Sequence, residues 1–66
     1  MTVAEATSTN GAYKTFSSTN ATLATALSEV LNELDTQHKS LSNTRFVSVF
    51  DDTGQEFTFI AIVKGG

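Results

Sequence analysis

Residues 45–63 read RFVSVFDDTGQEFTFIAIV, two apolar runs separated by the polar linker DDTGQ at residues 51–55. This composition is typical of a hairpin loop built from a type I turn and a following glycine in the left-handed region. The pattern therefore predicts two antiparallel strands, with Gly54 in the left-handed conformation. In the expected register Val49 pairs with Phe57.

The register decides which side chains share a face, because successive residues of a strand point to opposite sides. The face expected to pack against a helix holds Arg45, Val47, Val49, Phe57, Phe59, Ala61 and Val63. The other face holds Phe46, Ser48, Phe50, Thr58, Ile60 and Ile62. The second set is too apolar to lie wholly in water. Its large members, Phe46, Phe50, Ile60 and Ile62, are candidate partner-binding residues; the alternative is cover by the N-terminal hairpin or by a second copy of the chain.

The clearest helix signal precedes this hairpin, at residues 21–38. Apolar residues recur there with helical spacing and form one continuous stripe: Leu23, Leu27, Val30, Leu31 and Leu34. Asn20 is a suitable N-cap, and His38 and Lys39 fall near the negative end of the helix dipole. Glu29 and Glu33 are expected on the solvated side of this helix.

A second hairpin is indicated near the N-terminus by Asn10-Gly11, a strong signal for a tight turn. A strict two-residue loop would pair Glu5 with Phe16, which is an awkward arrangement for a core position. The order hairpin, helix, hairpin predicts an α+β domain with one helix on a four-stranded sheet. A right-handed crossover would make the first and last strands parallel neighbours. The expectation is a single ubiquitin-like β-grasp (ββαββ) domain, residues 1–66, with a mixed sheet in the strand order 2-1-4-3 and a flexible tail at residues 64–66.

Composition narrows the functional classes. The chain has 66 residues, no Cys, four Lys or Arg residues and a net charge of −3. Without a basic cluster, a nucleic-acid partner is not expected. There is no apolar run of the roughly 20 residues that span a bilayer, and no signal-peptide pattern, so a soluble cytoplasmic protein without a membrane partner is expected. One His and no Cys leave no nucleophilic triad and no evident metal site, so a protein that is not itself an enzyme is predicted.

Four motifs follow one another along the chain. They are the Asn10-Gly11 turn, the helix pattern from Thr22 to Leu34, Gly54 ahead of Glu56-Phe57, and the ending FIAIVKGG at residues 59–66. In this order they resemble the ubiquitin-like sulfur carrier proteins of thiamine and molybdopterin biosynthesis, the ThiS/MoaD-like family. The chain departs from that family at Gln55 and Lys64, where an acidic and a small residue are common.

The resemblance implies chemistry at the C-terminus. In that family an E1-like adenylyltransferase uses ATP-Mg to form an acyl-adenylate at the terminal glycine, here Gly66. Sulfur from a cysteine desulfurase or rhodanese-type donor then replaces AMP, and the resulting thiocarboxylate serves a sulfur-accepting synthase. Gly65 would be the spacer that lets Gly66 enter narrow active sites, and Lys64 would contact the activating enzyme or simply end the strand in solvent. No bound cofactor is expected.

Several functions share this ending. The thiazole of thiamine is the favoured sulfur acceptor, with molybdopterin, a tRNA base or a specialised metabolite as alternatives. A ubiquitin-like modifier joined to other proteins through Gly66 would be activated in the same way. A third class is a plain binding module in which Gly65-Gly66 is incidental, since a fold by itself does not determine function.

Overall fold

The computed structural model describes residues 3–65. Two strands, β1 (Ala4–Thr7) and β2 (Tyr13–Asn20), precede the helix α1 (Leu23–Thr36). A short 3-10 turn at Leu41–Asn43 then leads into β3 (Thr44–Asp51) and β4 (Glu56–Lys64). The α+β class, with one helix and a four-stranded sheet, is therefore confirmed.

The arrangement of the strands differs from the prediction. Their order is β1-β2-β4-β3, and every neighbouring pair is antiparallel. The predicted order 2-1-4-3, with a mixed sheet and the first strand parallel to the last, is wrong. The composition of the two N-terminal strands explains the exchange. The four residues of β1 contain no large apolar side chain, whereas β2 carries Phe16, which is fully buried beneath α1. The central position therefore goes to the strand that has apolar surface to bury.

This strand order can be tested with a disulfide between β2 and β4. The hydroxyl oxygens of Thr19 and Thr58 lie 2.8 Å apart across these strands, and the chain has no native cysteine to interfere. We expect the double variant Thr19→Cys/Thr58→Cys to oxidise readily. Because the bridge joins residues 39 apart in sequence, oxidation should raise the free energy of unfolding by about 4 kcal/mol. Urea unfolding of the oxidised and reduced forms measures this difference.

The matched control moves one cysteine to β1, in the variant Thr7→Cys/Thr58→Cys. In the observed order β1 pairs only with β2, so this pair should stay reduced under the same conditions. Failure of Thr19→Cys/Thr58→Cys to bridge in the folded protein, or bridging of the control at equal efficiency, would contradict the observed order.

The register of the C-terminal hairpin differs from the prediction by one residue. Phe50 lies opposite Phe57, and Phe46 lies opposite Ala61. The connection is residues 52–55, and the residue in the left-handed region is Gln55, with φ 54°, rather than Gly54. A Cβ at Gly54 would lie 2.7 Å from the Asp51 carboxylate, so a larger residue there would require the Asp51 side chain to move. The one-residue slip leaves the β4 side chains on their predicted faces and places each β3 side chain on the face opposite to the predicted one.

The core lies between α1 and the two central strands. The helix packs on β2 and β4. The stripe predicted for it is confirmed in part, because Val30 and Leu34 are buried whereas Leu23 and Leu31 are 36% and 38% exposed. Ala26 on the helix and Ala61 on β4 are fully buried, and these small side chains let the two layers approach closely. The buried apolar residues are Phe16, Ala26, Val30, Leu34, Ala61 and Val63.

Both ends of α1 lie slightly inside the predicted range. Thr22, not Asn20, is the N-cap residue; the Asn20 side chain accepts a hydrogen bond of 3.0 Å from the Thr22 N–H just ahead of the helix. At the other end His38 takes φ 57°, and the Lys39 N–H donates to the Leu34 carbonyl at 2.9 Å. This left-handed ending satisfies a terminal carbonyl of the helix. His38 and Lys39 therefore lie beyond the last turn.

The N-terminal hairpin has the register that seemed awkward in sequence. Glu5 does lie opposite Phe16, but β1 is an edge strand, so the carboxylate stays outside the core. The Gln37 side chain donates to Glu5 at 2.8 Å, and the Lys14 ammonium lies 3.1 Å from its other oxygen. The hydrogen bond from Gln37, followed by Lys14, holds the pKa of Glu5 below its ordinary value of 4.5. The hydrogen bond between Glu5 and Gln37 thus links β1 to the C-terminal end of α1.

Candidate functional site

The four residues predicted to form one partner-binding patch are divided between two faces of the sheet. Phe46 and Phe50 lie on the side that carries α1, because they are opposite Ala61 and Phe57. Ile60 and Ile62 alternate with those residues along β4 and therefore lie on the other side. The prediction that they share a face is wrong, and the cause is the one-residue slip of β3.

A group of four phenylalanines lies on the helix side of β3 and β4. The rings of Phe46 and Phe59 stack with their centroids 5.4 Å apart, and those of Phe50 and Phe57 are 4.8 Å apart. Because α1 packs on β2 and β4, it leaves the β3 side of this group in solvent. Phe46 and Phe50 are 40% and 48% exposed. This phenylalanine group is therefore only half covered by the chain itself.

The opposite face of the sheet carries no helix. Its β3 and β4 positions form an apolar strip, with Val47 opposite Ile60 and Arg45 opposite Ile62. Val47 and Val49 are 46% and 51% exposed. Apolar side chains on both faces of β3 are thus accessible to a partner.

The predicted reactive tail begins where the central strand β4 ends. Lys64 is exposed, and the N–H of the following Gly65 donates to the Ala12 carbonyl at 2.7 Å. Gly65 has φ 88°, in the region that disfavours other residues, and a Cβ there would meet nothing within 4 Å. The backbone is thus held up to Gly65, and the space that a side chain at this position would occupy is open. Gly66, the predicted reacting residue, lies outside the described residues.

A cleft of about 410 Å³ lies next to the start of the tail, on the face opposite α1. It is lined by Tyr13, Ser42, Asn43, Arg45, Ile62 and Lys64. Two of the four basic residues of an acidic chain therefore meet at one opening. Register brings them together, because Lys64 lies opposite Tyr13 and Arg45 lies opposite Ile62. The cleft can attract a carboxylate or phosphate group on a partner.

Sequence reasoning missed a buried polar contact under the helix. The Ser18 side chain is 3% exposed, and its hydroxyl donates to Glu29 Oε1. Glu29 was expected in solvent, together with Glu33, which instead accepts from the Gln37 side chain. The available signal was Ser18 itself, a polar residue two positions after Phe16 and so on the same face of β2.

This contact gives a stability prediction. Ser18→Ala removes the donor from a partly buried carboxylate, and we expect the free energy of unfolding to fall by about 1 kcal/mol. Urea unfolding followed by circular dichroism measures the change. Ser28→Ala, at an exposed position of α1, is the matched control and should cause no loss. Equal stability of wild type and Ser18→Ala would show that the contact contributes nothing.

Within residues 3–65, no three His, Cys, Asp or Glu residues are grouped so that they could hold a metal ion. No helix in the same range has the length and apolar character needed to cross a membrane.

The chain was compared with models of known protein families, with curated proteins and with solved structures. None of them matches it.

Proposed function

We propose that this protein is a sulfur carrier whose C-terminal glycine, Gly66, is the reacting residue. The observation that carries the proposal is the position of the tail: Gly65-Gly66 directly follows the central strand β4, and the backbone at Gly65 is held by Ala12 while its surroundings stay open. A tail that is anchored at its base and has open space around Gly65 can enter the active site of another enzyme. The protein acts as a co-substrate rather than as a catalyst.

The chemistry follows from the poor reactivity of a carboxylate. An E1-like adenylyltransferase would use ATP-Mg to convert the Gly66 carboxylate into an acyl-adenylate, with release of pyrophosphate. A persulfide from a cysteine desulfurase or rhodanese-type donor would displace AMP, and cleavage of the acyl disulfide by a thiol would leave the thiocarboxylate. A glycine at both tail positions keeps this carbonyl accessible. A sulfur-accepting synthase would then take the sulfur, with thiamine thiazole as the favoured product.

The basic cleft supports a docking role beside the tail. Arg45 and Lys64 line it, and an acidic rim on an activating enzyme would be attracted to this end of the sheet. Lys64 is then the last side chain that the partner contacts before the glycines enter its active site. The outward-facing Ile62 adds apolar surface to the same cleft.

The proposal depends on the C-terminal tail and not on a sheet arrangement in common with the sulfur carriers. A β-grasp domain of the sulfur-carrier type has its first and last strands as parallel neighbours, whereas here β2 occupies the place beside β4 and runs antiparallel to it. We therefore propose that the tail works as in those carriers while the scaffold reaches the same end by another strand order.

The test is the intact mass of the chain after incubation with an E1-like enzyme, ATP-Mg and a persulfide donor. We expect a new species heavier by the difference between one sulfur and one oxygen atom, and alkylation of its thiocarboxylate with iodoacetamide should add one further group. A known sulfur carrier with its own activating enzyme is the positive control. Covalent adducts to lysines of other proteins, without a free thiocarboxylate, would instead show a protein modifier.

A second candidate is a binding module in which the glycines are incidental. The strand order favours it, because it removes the sheet arrangement on which the resemblance to the carriers partly depends. This candidate predicts no change of mass in the assay above, and it predicts that removal of Gly65-Gly66 leaves partner binding unaltered.

A further inference from the structure

The strand β3 is a long and unprotected edge of the sheet. It pairs with β4 on one side, and the sheet ends at its other side. Edge strands are normally kept from pairing with other chains by shortness, charge or proline. The opposite edge, β1, is four residues long and carries Glu5. By contrast, β3 has eight residues, and no charge lies between Arg45 and Asp51.

The sequence of this edge is nearly symmetric about its centre. Residues 45–51 read RFVSVFD, so FVSVF is the same in both directions around Ser48, and the flanking residues carry opposite charges. An antiparallel pair of identical strands places each position opposite its mirror position. A strand with this pattern is therefore complementary to itself.

We propose that two copies of this chain associate through β3, in an antiparallel pair centred on Ser48. Phe46 then lies opposite Phe50 of the partner subunit, and Val47 lies opposite Val49 of the partner subunit. Arg45 lies opposite Asp51 of the partner subunit, and the two-fold symmetry makes this ion pair twice. The sheet becomes continuous across both copies, with its open β3 edges paired.

The faces of the sheet agree with this register. Phe46, Ser48 and Phe50 lie on the helix side of β3, and the residues between them lie on the other side. Each pair in the proposed register joins two residues of the same face, so apolar surface meets apolar surface on both. The half-covered phenylalanine groups of the two copies become neighbours. A shift of two residues in the pairing would place Arg45 opposite Val49 of the partner subunit and lose both ion pairs.

The charged ends of β3 are suited to this pairing. Within residues 3–65 Arg45 forms no ion pair. One oxygen of Asp51 accepts the Thr53 N–H at 3.1 Å, and a carboxylate can accept further hydrogen bonds. Charge complementarity thus specifies both the partner, a second copy, and the register. This inference does not depend on the chemistry proposed for Gly66, although Arg45 also lines the cleft beside the tail.

Charge reversal with complementation tests the proposal. The chain mass is 7.0 kDa, and light scattering or sedimentation at rising protein concentration should show wild type approaching twice that value. Each single variant, Arg45→Asp or Asp51→Arg, places like charges opposite each other at both ends of the pair. The dissociation constant of the dimer should therefore rise by about tenfold or more. An equimolar mixture of the two variants restores opposite charges at both ends and should recover the dimer.

Asp35→Arg is the matched control, since it makes the same charge change at an exposed position of α1, and it should dimerise like wild type. Circular dichroism establishes that each variant is folded. Should Asp51→Arg disturb the neighbouring turn, Val47→Lys, which puts like charges near the centre of the pair, replaces it as the second dissociating variant. Wild type that stays at 7.0 kDa at every concentration overturns the proposal. So does a dimer that is indifferent to both charge reversals.

Discussion

Deletion of Gly66 should abolish formation of the thiocarboxylate completely while leaving the fold intact. The variant would end at Gly65, so its terminal carboxylate would lie one residue closer to the strand. The N–H of Gly65 is hydrogen-bonded to the Ala12 carbonyl. The shortened tail would no longer reach the adenylating site. Intact mass spectrometry in the assay described above measures the chemistry, and urea unfolding measures the stability.

The matched control is Gly66→Ala, which keeps the length of the tail and adds one methyl group at the reacting residue. We expect it to be converted slowly, because the added Cβ crowds the carbonyl that must be attacked. If the deleted chain gains the same mass as wild type, sulfur is incorporated elsewhere and Gly66 is not the reacting residue. A loss of stability in the deleted chain would mean instead that the tail is part of the fold.

Phe16→Ala should have the opposite effect and remove most of the stability. Phe16 is fully buried, lies on the central strand β2 and belongs to the same core cluster as Val30 and Leu34 of α1. Truncating a buried phenylalanine costs about 3–5 kcal/mol. A domain of this length is stable by roughly 3–10 kcal/mol in total, so a large fraction of the variant should be unfolded. Thermal and urea unfolding followed by circular dichroism measure the loss.

The matched control is Leu41→Ala, which removes a large apolar side chain that is 59% exposed. It should lower the free energy of unfolding by less than about 1 kcal/mol. A cooperative transition of Phe16→Ala close to that of wild type would contradict the core described for this fold. It would also remove the explanation given for the central position of β2.

Two elements could be predicted from sequence because each carries its own strong periodicity. The apolar stripe of α1 repeats at helical spacing and needs no other part of the chain to be recognised. The apolar run of β4 predicts a central strand, and its inward face holds Phe59, Ala61 and Val63. The helix and the inward face of β4 were therefore predictable, although Leu23 and Leu31 of the predicted stripe are exposed.

The register of β3 could not be predicted, because its apolar content is almost equal on both faces. Phe46 and Phe50 on one side compete with Val47 and Val49 on the other, so a slip of one residue costs little hydrophobic burial. The observed register goes with the conformation of the loop, in which Gln55 rather than Gly54 lies in the left-handed region. Strand order was decided in a similar way by a weak signal, the single phenylalanine of β2.

The candidate site was predictable only in part. The tail is visible in sequence, and the structure adds the anchor at Ala12 and the neighbouring cleft. Arg45 and Lys64 are 19 positions apart, and only the pairing of β3 with β4 brings them to one opening. The contact between Ser18 and Glu29 likewise depends on how the helix lies across the sheet. Contacts of this kind follow from tertiary packing, and a local sequence pattern does not predict them.

The central claim, that Gly66 carries sulfur, is tested most directly by the intact mass of the protein purified from its own cells, where its natural partners act. The measurement is made under conditions that preserve a thiocarboxylate, with iodoacetamide added to one half of the sample. We predict two species, one ending in a carboxylate and one heavier by the exchange of oxygen for sulfur, of which only the second is alkylated. A single species with an unmodified carboxylate at Gly66, under conditions in which a known carrier retains its sulfur, would contradict the account.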